Sequence, residues 1–450
     1  MSVKIKTLPI CLIIGMGLMA SLFGPSTHAA TQIQVGNCEP KGQKAYTTIQ
    51  AAVNAAASGY IINICPGTYP EQVVITKSLT LQGLQPTAAG VAGATVIIAP
   101  TGGMIQNATD PSAAALNPKI AAQIFVQGAV TVNLANLIVD GSNNKLSGCT
   151  APALVGVYFQ NAAGSLKRVW VRNETLDSGD SGCESGLGIY LEAGSASPGG
   201  TGPAVTVNTS TVTNYQKNGI TANGYGNGSA GPVVTFSNNE VIGLGPTNGA
   251  VQNGIQIGYG ATGKLTENLV FDDISQPDTS GDPDAAATGI LVLASSNVTV
   301  NNNDVGSTQF GIAVRSDPVF GNADTNAVTV NIIASTLIFD GVNVCSNDNT
   351  VQFNDIYSST EAGIKVDNSC TEGPGGGASG NGNTVNNNNI NGGCAGILEG
   401  SGTGNTFSPQ ILVANVTTAL VAGDVCTSSG SSDLRTFVAT HGAGHPVPFR

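Results

Sequence analysis

Short stretches in which apolar and polar residues alternate follow one another along most of this chain, and many open on a Gly followed by Ile or Val. That step recurs at Gly156, Gly188, Gly219, Gly254, Gly289, Gly311, Gly341, Gly363 and Gly396, at intervals of 22 to 35 residues. Alternation with period 2 over a few residues is the pattern of a strand with one face buried. A repeat that bottoms out at one length and otherwise grows by loop-sized amounts is what a solenoid with insertions produces. In the shortest unit, Gly289 to Leu293 reads as a strand, Ala294 to Asn297 as a turn, Val298 to Val300 as a second strand, Asn301 to Asn303 as a corner, and Asp304-Val305 as a third. Asn returns at the same corner in Asn208, Asn238-Asn239 and Asn386 to Asn389. It tolerates the left-handed backbone of a tight corner, and stacked amides can hydrogen-bond from coil to coil. Three short parallel strands per coil, about 4.8 Å from the next coil, predict an all-β parallel β-helix of about eleven coils and roughly 50 Å. A β-sandwich would show regular hairpin signals and a propeller a period near 40 to 45 residues, and the chain has neither.

Composition agrees and narrows the partners. Charged residues make up 10% of the 450, Gly numbers 60, and the hydrophobic fraction is 41%, so the chain has a core and lacks helix-forming composition. The formal charge of −12 leaves no basic face for nucleic acid. Beyond His28, only His441 and His445 exist, so neither a three-His zinc site nor a Ser/His/Asp triad in the body of the protein can be assembled.

Residues 1–29 read as an export signal: Lys4 and Lys6, an apolar run from Leu8 to Phe23, then Thr27-His28-Ala29. A secreted or cell-surface protein is expected, with no membrane span after cleavage. Eight cysteines remain: Cys38, Cys65, Cys149, Cys183, Cys345, Cys370, Cys394 and Cys426. An even number in an oxidising compartment, without a CxxC pair, predicts four structural disulfides of open connectivity.

Tyr46-Thr47-Thr48-Ile49-Gln50-Ala51-Ala52-Val53-Asn54-Ala55-Ala56, then Pro66-Gly67-Thr68-Tyr69, Glu71-Gln72-Val73-Val74-Ile75 and Leu79-Thr80-Leu81-Gln82-Gly83 resemble the opening of the right-handed parallel β-helix proteins of the pectate lyase-like superfamily. The resemblance covers residues 46 to roughly 410. Thr47 or Thr48 would cap a short helix whose Ile49, Ala52, Val53 and Ala56 cover the first coil, and so shield an open sheet edge. The expected organisation is a signal peptide over 1–29, an N-terminal arm and capping helix over 30–70, the β-helix over 71–410, and a C-terminal cap and tail over 411–450. Pairing Cys38 with Cys65 would pin the arm to the cap. Cys149 with Cys183 and Cys345 with Cys370 would each span a coil, and Cys394 with Cys426 would tie down the C-terminal cap.

In that superfamily the sheet carrying such a Gly-opened strand commonly receives a polysaccharide. Its outward positions here are Tyr158 and Gln160, Tyr190 and Glu192, Thr221 and Asn223, Gln256, Leu291 and Leu293, Ala313 and Arg315, Asn343, and Lys365 and Asp367. Tyr158, Tyr190, Glu192, Asn223 and Gln256 suit sugar rings and hydroxyls. Two sets are candidates for acid/base work: Arg315, Lys365 and Asp367, where a pectate lyase-like reaction would use an Arg or Lys as base with Ca2+ on the substrate, and Arg172, Glu174 and Asp177. Asp278, Asp282 and Asp284 have the composition of a Ca2+ loop without EF-hand spacing. The adjacent pair Asp272-Asp273 is faintly similar to that of polygalacturonases, but the Gly-His-Gly and Arg-Ile-Lys that accompany it there are absent. The expected function is binding to, or lyase or hydrolase action on, extracellular polysaccharide by a monomer. The alternative is a non-catalytic surface or matrix protein whose outward residues and acid clusters are solvated structure.

Overall fold

The computed structural model describes residues 30–38, 44–84, 93–112, 117–176, 180, 182–194, 202–226, 230–248, 250–276, 286–367, 380–400 and 402–422. The predicted signal segment, Asp177, Asp278, Asp282, Asp284, Cys370 and Cys426 lie outside these residues.

The strands stack in three columns around one lumen. The first column runs from Gln32–Val35 through Tyr60–Ile64, Leu79–Gly83 and the starts of Thr131–Asp140 and Ala163–Glu174 to Ala204–Asn208, Val233–Ser237, Thr262–Thr266, Val298–Asn301, Ala327–Thr329, Thr350–Gln352 and Thr384–Asn386. The second includes Thr211–Tyr215, Glu240–Asn248, Leu269–Gln276, Asp304–Thr308, Ile332–Thr336 and Asp355–Tyr357. The third, which carries the Gly-opened strands, holds Lys119–Gln127, Ala153–Gln160, Leu187–Ala193, Asn218–Gly224, Asn253–Gly258, Thr288–Leu293, Phe310–Arg315, Val342–Cys345 and Ala362–Val366. Leu412–Ala422 adds a last layer on Asn389–Glu399. Among the described residues the strand pairs are parallel except one, Ala108–Thr109 against Lys119–Gln127, and that exception builds a wall of the site.

Inward alternate residues, such as Ile189, Leu191, Ile220, Ala222, Ile255 and Ile257, fill the lumen as one apolar column with no solvent exposure. The recurrent Gly sits where the second and third sheets converge. A Cβ on Gly219 would lie 2.4 Å from Val241 Cγ1 and 2.6 Å from the Gly254 carbonyl, so no side chain fits between the stacked backbones.

The Asn corner divides its two duties between neighbours. Asn238, Asn302 and Asn387 take the left-handed backbone, with φ of 56°, 56° and 55°. The residues that follow turn inward and form a ladder: the Nδ2 of Asn239, Asn268, Asn303, Asn331 and Asn354 donates to the Oδ1 of the Asn one coil on, at 2.8 to 3.0 Å. Each of these Asn also donates to a carbonyl of the preceding coil. The buried corner amides are thus satisfied by one another.

At the N-terminal end the predicted helix forms at Ile49–Ala55, capped by Thr48, whose Oγ1 accepts from Ala51 N at 3.1 Å. Glu71 accepts from the Ile49 and Gln50 N–H groups at 2.8 and 3.0 Å, and so places a negative charge at the helix N-terminus. The stripe Ile49, Ala52, Val53 and Ala56 is buried on the first coil. Cys38–Cys65 and Cys149–Cys183 are bonded as expected. Cys345 and Cys394 are also in disulfides, and their expected pairing with Cys370 and Cys426 falls outside the described residues.

Candidate functional site

The outward positions of the third sheet fall into register. Tyr158, Tyr190, Thr221, Gln256, Leu291, Ala313, Asn343 and Lys365 occupy one position on successive strands. Over its middle, from Tyr190 to Arg315, lies a cleft of about 340 Å³. The segment of Asp110, Ser112 and Asn117 bounds one part of it, and Glu184 with Lys217, paired at 2.8 Å, another.

Outward, however, does not mean open. Tyr158 is fully buried and Tyr190 is 4% exposed, which corrects the expectation of two solvent-facing platforms for sugar. Phe125, Tyr158 and Tyr190 form a continuous ring stack with centroids 5.3 and 5.1 Å apart. The Ala108–Thr109 strand, paired with the start of Lys119–Gln127, roofs this stack, and Ala108 packs in one cluster with it. The roof is tied down by Gln160, whose Nε2 donates to the Thr109 carbonyl at 2.7 Å. Glu192 is buried beside the stack, and Gln256 lies low in the cleft floor.

Under the edge of the roof two carboxyl groups meet. Asp110, a residue with no feature in the sequence to single it out, lines the cleft and accepts from Tyr190 Oη at 2.8 Å. Glu192 accepts from Tyr158 Oη, which itself accepts from Gln160 Nε2 at 2.8 Å. Burial first, then the hydrogen bond and charge of Asp110, pushes the Glu192 carboxyl up to about 10. Two carboxyl groups this close cannot both ionise cheaply in a dry site, which is why the Asp110 charge adds to burial in raising the Glu192 carboxyl. The Tyr158 and Tyr190 hydroxyls are raised by burial and then by the Glu192 charge, and they act as donors to the pair.

The floor beside this pair is an amide and hydroxyl network. Asn218 Nδ2 donates to Thr221 Oγ1 and to Gln256 Oε1, both at 3.0 Å, and Gln256 Nε2 donates to Asn223 Oδ1 at 3.1 Å. Asn253 stacks on Asn218 at 3.3 Å. Asn218 and Asn253 were not among the expected site residues. Their signal is a polar residue placed immediately before the recurrent Gly on consecutive coils, a position that points to the same face as Thr221 and Gln256.

No family model matches the sequence, and no curated protein matches it by sequence. Among solved structures, the chain is similar to the GH136 lacto-N-biosidase of Eubacterium ramulus, with TM-score 0.54, 11% identity, 87% of this chain and 68% of that one covered. It is also similar to the A-module of the mannuronan C-5 epimerase AlgE4 of Azotobacter vinelandii, with TM-score 0.52, 14% identity and coverage of 85% and 95%. A third likeness is the periplasmic alginate epimerase AlgG, with TM-score 0.46, 11% identity and coverage of 84% of each chain. The fold is the right-handed parallel β-helix. At these identities the likeness concerns fold alone.

The β-helix separates the other expected clusters. Arg172 faces outward on the second sheet, stacks on Trp170 at 4.5 Å and donates through Nε to Asp140 at 2.7 Å. Glu174, two residues on, points into the lumen because Asn173 between them adopts φ 58° and breaks the alternation. Its carboxyl is fully buried without a hydrogen-bond partner and raised well above the usual range, by burial and then by Asp140. These two residues therefore form no common site. Asp273 is likewise buried and accepts from Tyr215 Oη at 2.6 Å, and it is not among the residues lining the cleft.

Arg315 and Lys365 are closer partners. Arg315 lies 4.6 Å from the Phe310 ring centroid and donates to Asn343 Oδ1 at 3.3 Å. Asn343 donates to Asp340 Oδ2 at 2.9 Å, and Lys365 pairs with Glu361 at 3.0 Å. Burial and the Glu361 charge raise the Asp340 carboxyl. Of the expected trio, Arg315 alone is a cleft-lining residue. Asp367 follows the Lys365 strand, with its N–H on the Val344 carbonyl at 3.0 Å. Among the described residues no group of three His, Cys, Asp or Glu is placed to hold a metal ion.

Proposed function

We propose that this is an exported β-helix protein that binds a neutral polysaccharide or oligosaccharide in the cleft of its third sheet and acts on it through the Asp110–Glu192 pair. The observation that carries the reading is the Asp110–Glu192 carboxyl pair, with Asp110 lining the cleft, set beside a floor of amides and hydroxyls. Asn218, Thr221, Asn223, Asn253 and Gln256 offer paired donors and acceptors of the kind sugar hydroxyls require. A cleft-facing carboxyl backed by a protonated one suits proton transfer at a glycosidic oxygen or a sugar carbon. The lacto-N-biosidase and the mannuronan epimerase built on this fold are in keeping with carbohydrate chemistry.

A polyuronate fits less well. Of the charged residues lining the cleft, Asp110 and Glu184 are acids, Lys217 is neutralised by Glu184, and Arg315 is engaged with Asn343 and Phe310. No net positive field remains to hold a polyanion. The disulfides support export. The second reading, a non-catalytic glycan-binding or matrix protein, is favoured by the way Tyr158 donates to Glu192 and Tyr190 donates to Asp110 within the protein.

A glycan array followed by product analysis, with and without added Ca2+, tests both. The expected result is binding to at least one neutral glycan and its turnover. Asp110→Asn should then lose about 100-fold or more in turnover, the range of general acid/base contributions, with binding little changed. Binding by the wild type without any product would assign the non-catalytic reading. No binding across plant, algal and bacterial polysaccharides would overturn the carbohydrate reading.

A further inference from the structure

We infer that the cleft takes the terminus of a glycan chain rather than an interior stretch, an inference that rests on the carbohydrate reading of the same site. The floor is set by one register position on consecutive strands: Tyr190, Thr221, Gln256 and Leu291 line the cleft. Three coil steps at about 4.8 Å make this floor roughly 14 Å long. The same column continues in the other direction as Tyr158 and Phe125, but there the sheet surface is covered. Tyr158 is fully buried and Phe125 is 3% exposed, packed in one cluster with Ala108, and neither lines the cleft.

The cleft begins within one coil: Tyr190 and Thr221 line it, and Tyr158, one coil before, does not. The ring stack ends at Tyr190, and the next residue in register is the small Thr221. The floor steps down by the thickness of an aromatic side chain, and Asp110 at the roof edge closes the space above Tyr190 with a 2.8 Å hydrogen bond. Two features hold this end wall in place: the Gln160 bond to Thr109 and the antiparallel pairing of Ala108–Thr109 with Lys119–Gln127. A linear polymer laid along the column therefore meets a bonded wall and cannot continue over the Tyr158 coil. The cleft volume of about 340 Å³ lies at the low end of the roughly 300 to 1,000 Å³ typical of small-ligand sites, which suits a short terminal segment. The wall also brings the chain end to the carboxyl pair, so Asp110 would act on the terminal linkage.

The test uses the full protein and neutral β-glucan, xylan and fructan, each as intact polymer and as a partial hydrolysate, compared at equal mass concentration by calorimetry or competition. If ends are the ligand, shortening chains from about 100 to about 5 units multiplies the sites about twentyfold by mass action, and apparent affinity per unit mass should rise by at least tenfold. Thr221→Tyr, which fills the cleft floor one coil beyond Tyr190, should abolish this binding, with retention of the β fold checked by circular dichroism because Thr221 is buried and accepts from Asn218. Affinity that follows mass rather than chain ends, or tight binding of Thr221→Tyr, would overturn the inference while leaving the carbohydrate reading standing. Failure of every polymer and every hydrolysate to bind would overturn the carbohydrate reading, and the terminus inference with it.

Discussion

Replacing Glu192 by Gln keeps the shape of the side chain and removes its titratable proton. Glu192 is 1% exposed, and burial, with Asp110 beside it, moves its carboxyl from 4.5 up to about 10. An acid whose folded pKa is raised holds its proton more tightly in the folded protein than in the unfolded chain. Its stabilising contribution is complete below pH 4.5 and is lost progressively as the pH rises toward 10. Across that window the folded state carries about one more proton than the unfolded state, so wild-type stability falls by about 1.4 kcal/mol per pH unit on account of this group. Between pH 5 and pH 8 the Glu192→Gln variant should therefore gain about 4 kcal/mol relative to wild type. Glu174 and Asp273 are also raised, but they are common to both proteins and cancel in the difference. Urea unfolding of both proteins at half-unit steps from pH 5 to pH 8 measures it directly. A difference in midpoint that stays constant across this range would refute the raised Glu192 carboxyl, and with it the acid/base role given to the pair.

Two further perturbations probe the frame that holds the site. Asn303→Ala removes the acceptor that both the Asn268 backbone N–H and its Nδ2 use, at 3.1 and 2.8 Å. At about 1 to 3 kcal/mol per buried polar group left unpaired, a loss of about 3 to 5 kcal/mol in urea unfolding is expected, whereas Asn302→Gly at φ 56° should be close to neutral. Replacing both Cys38 and Cys65 by Ser opens a loop of 27 residues, for which loop-closure entropy predicts about 3 to 4 kcal/mol. Under thermal unfolding monitored in segments by hydrogen exchange, the first coils and the Ile49–Ala55 helix should lose protection before the coils beyond Asn218. Uniform loss along the stack would refute a local role for this bond.

The fold was legible because each coil repeats the same local instructions. The step from Gly188 to Ile189 marks a corner without room for a side chain, and the alternation through Glu192 assigns faces. The Asn corner was legible as a position but not in its division of labour. Asn238 takes the left-handed backbone and Asn239 the ladder, and only stacked neighbours decide which of two adjacent Asn turns inward. The alternation rule failed at Glu174, because the single positive φ at Asn173 reverses the face of everything after it.

The candidate site was half legible. Thr221, Asn223 and Gln256 follow from the period of the strands, and the structure places all three at the cleft. Asp110 does not follow from it, since it joins Tyr190 across 80 residues of sequence and belongs to no repeat.

By itself, the sequence determined the repeating unit: short strands that can bury only one face, Gly and Asn at the corners, and cysteines spaced to staple neighbouring coils. These depend on nearest-neighbour stacking, which a period reveals. Only the tertiary structure decided which outward positions meet solvent. A roof borrowed from the segment around Asp110 turns Tyr158 and Glu192 from surface residues into buried ones and sets the Glu192 carboxyl beside Asp110. Burial and charge proximity depend on what lies above a sheet, and no pattern within the sheet's own strands encodes that.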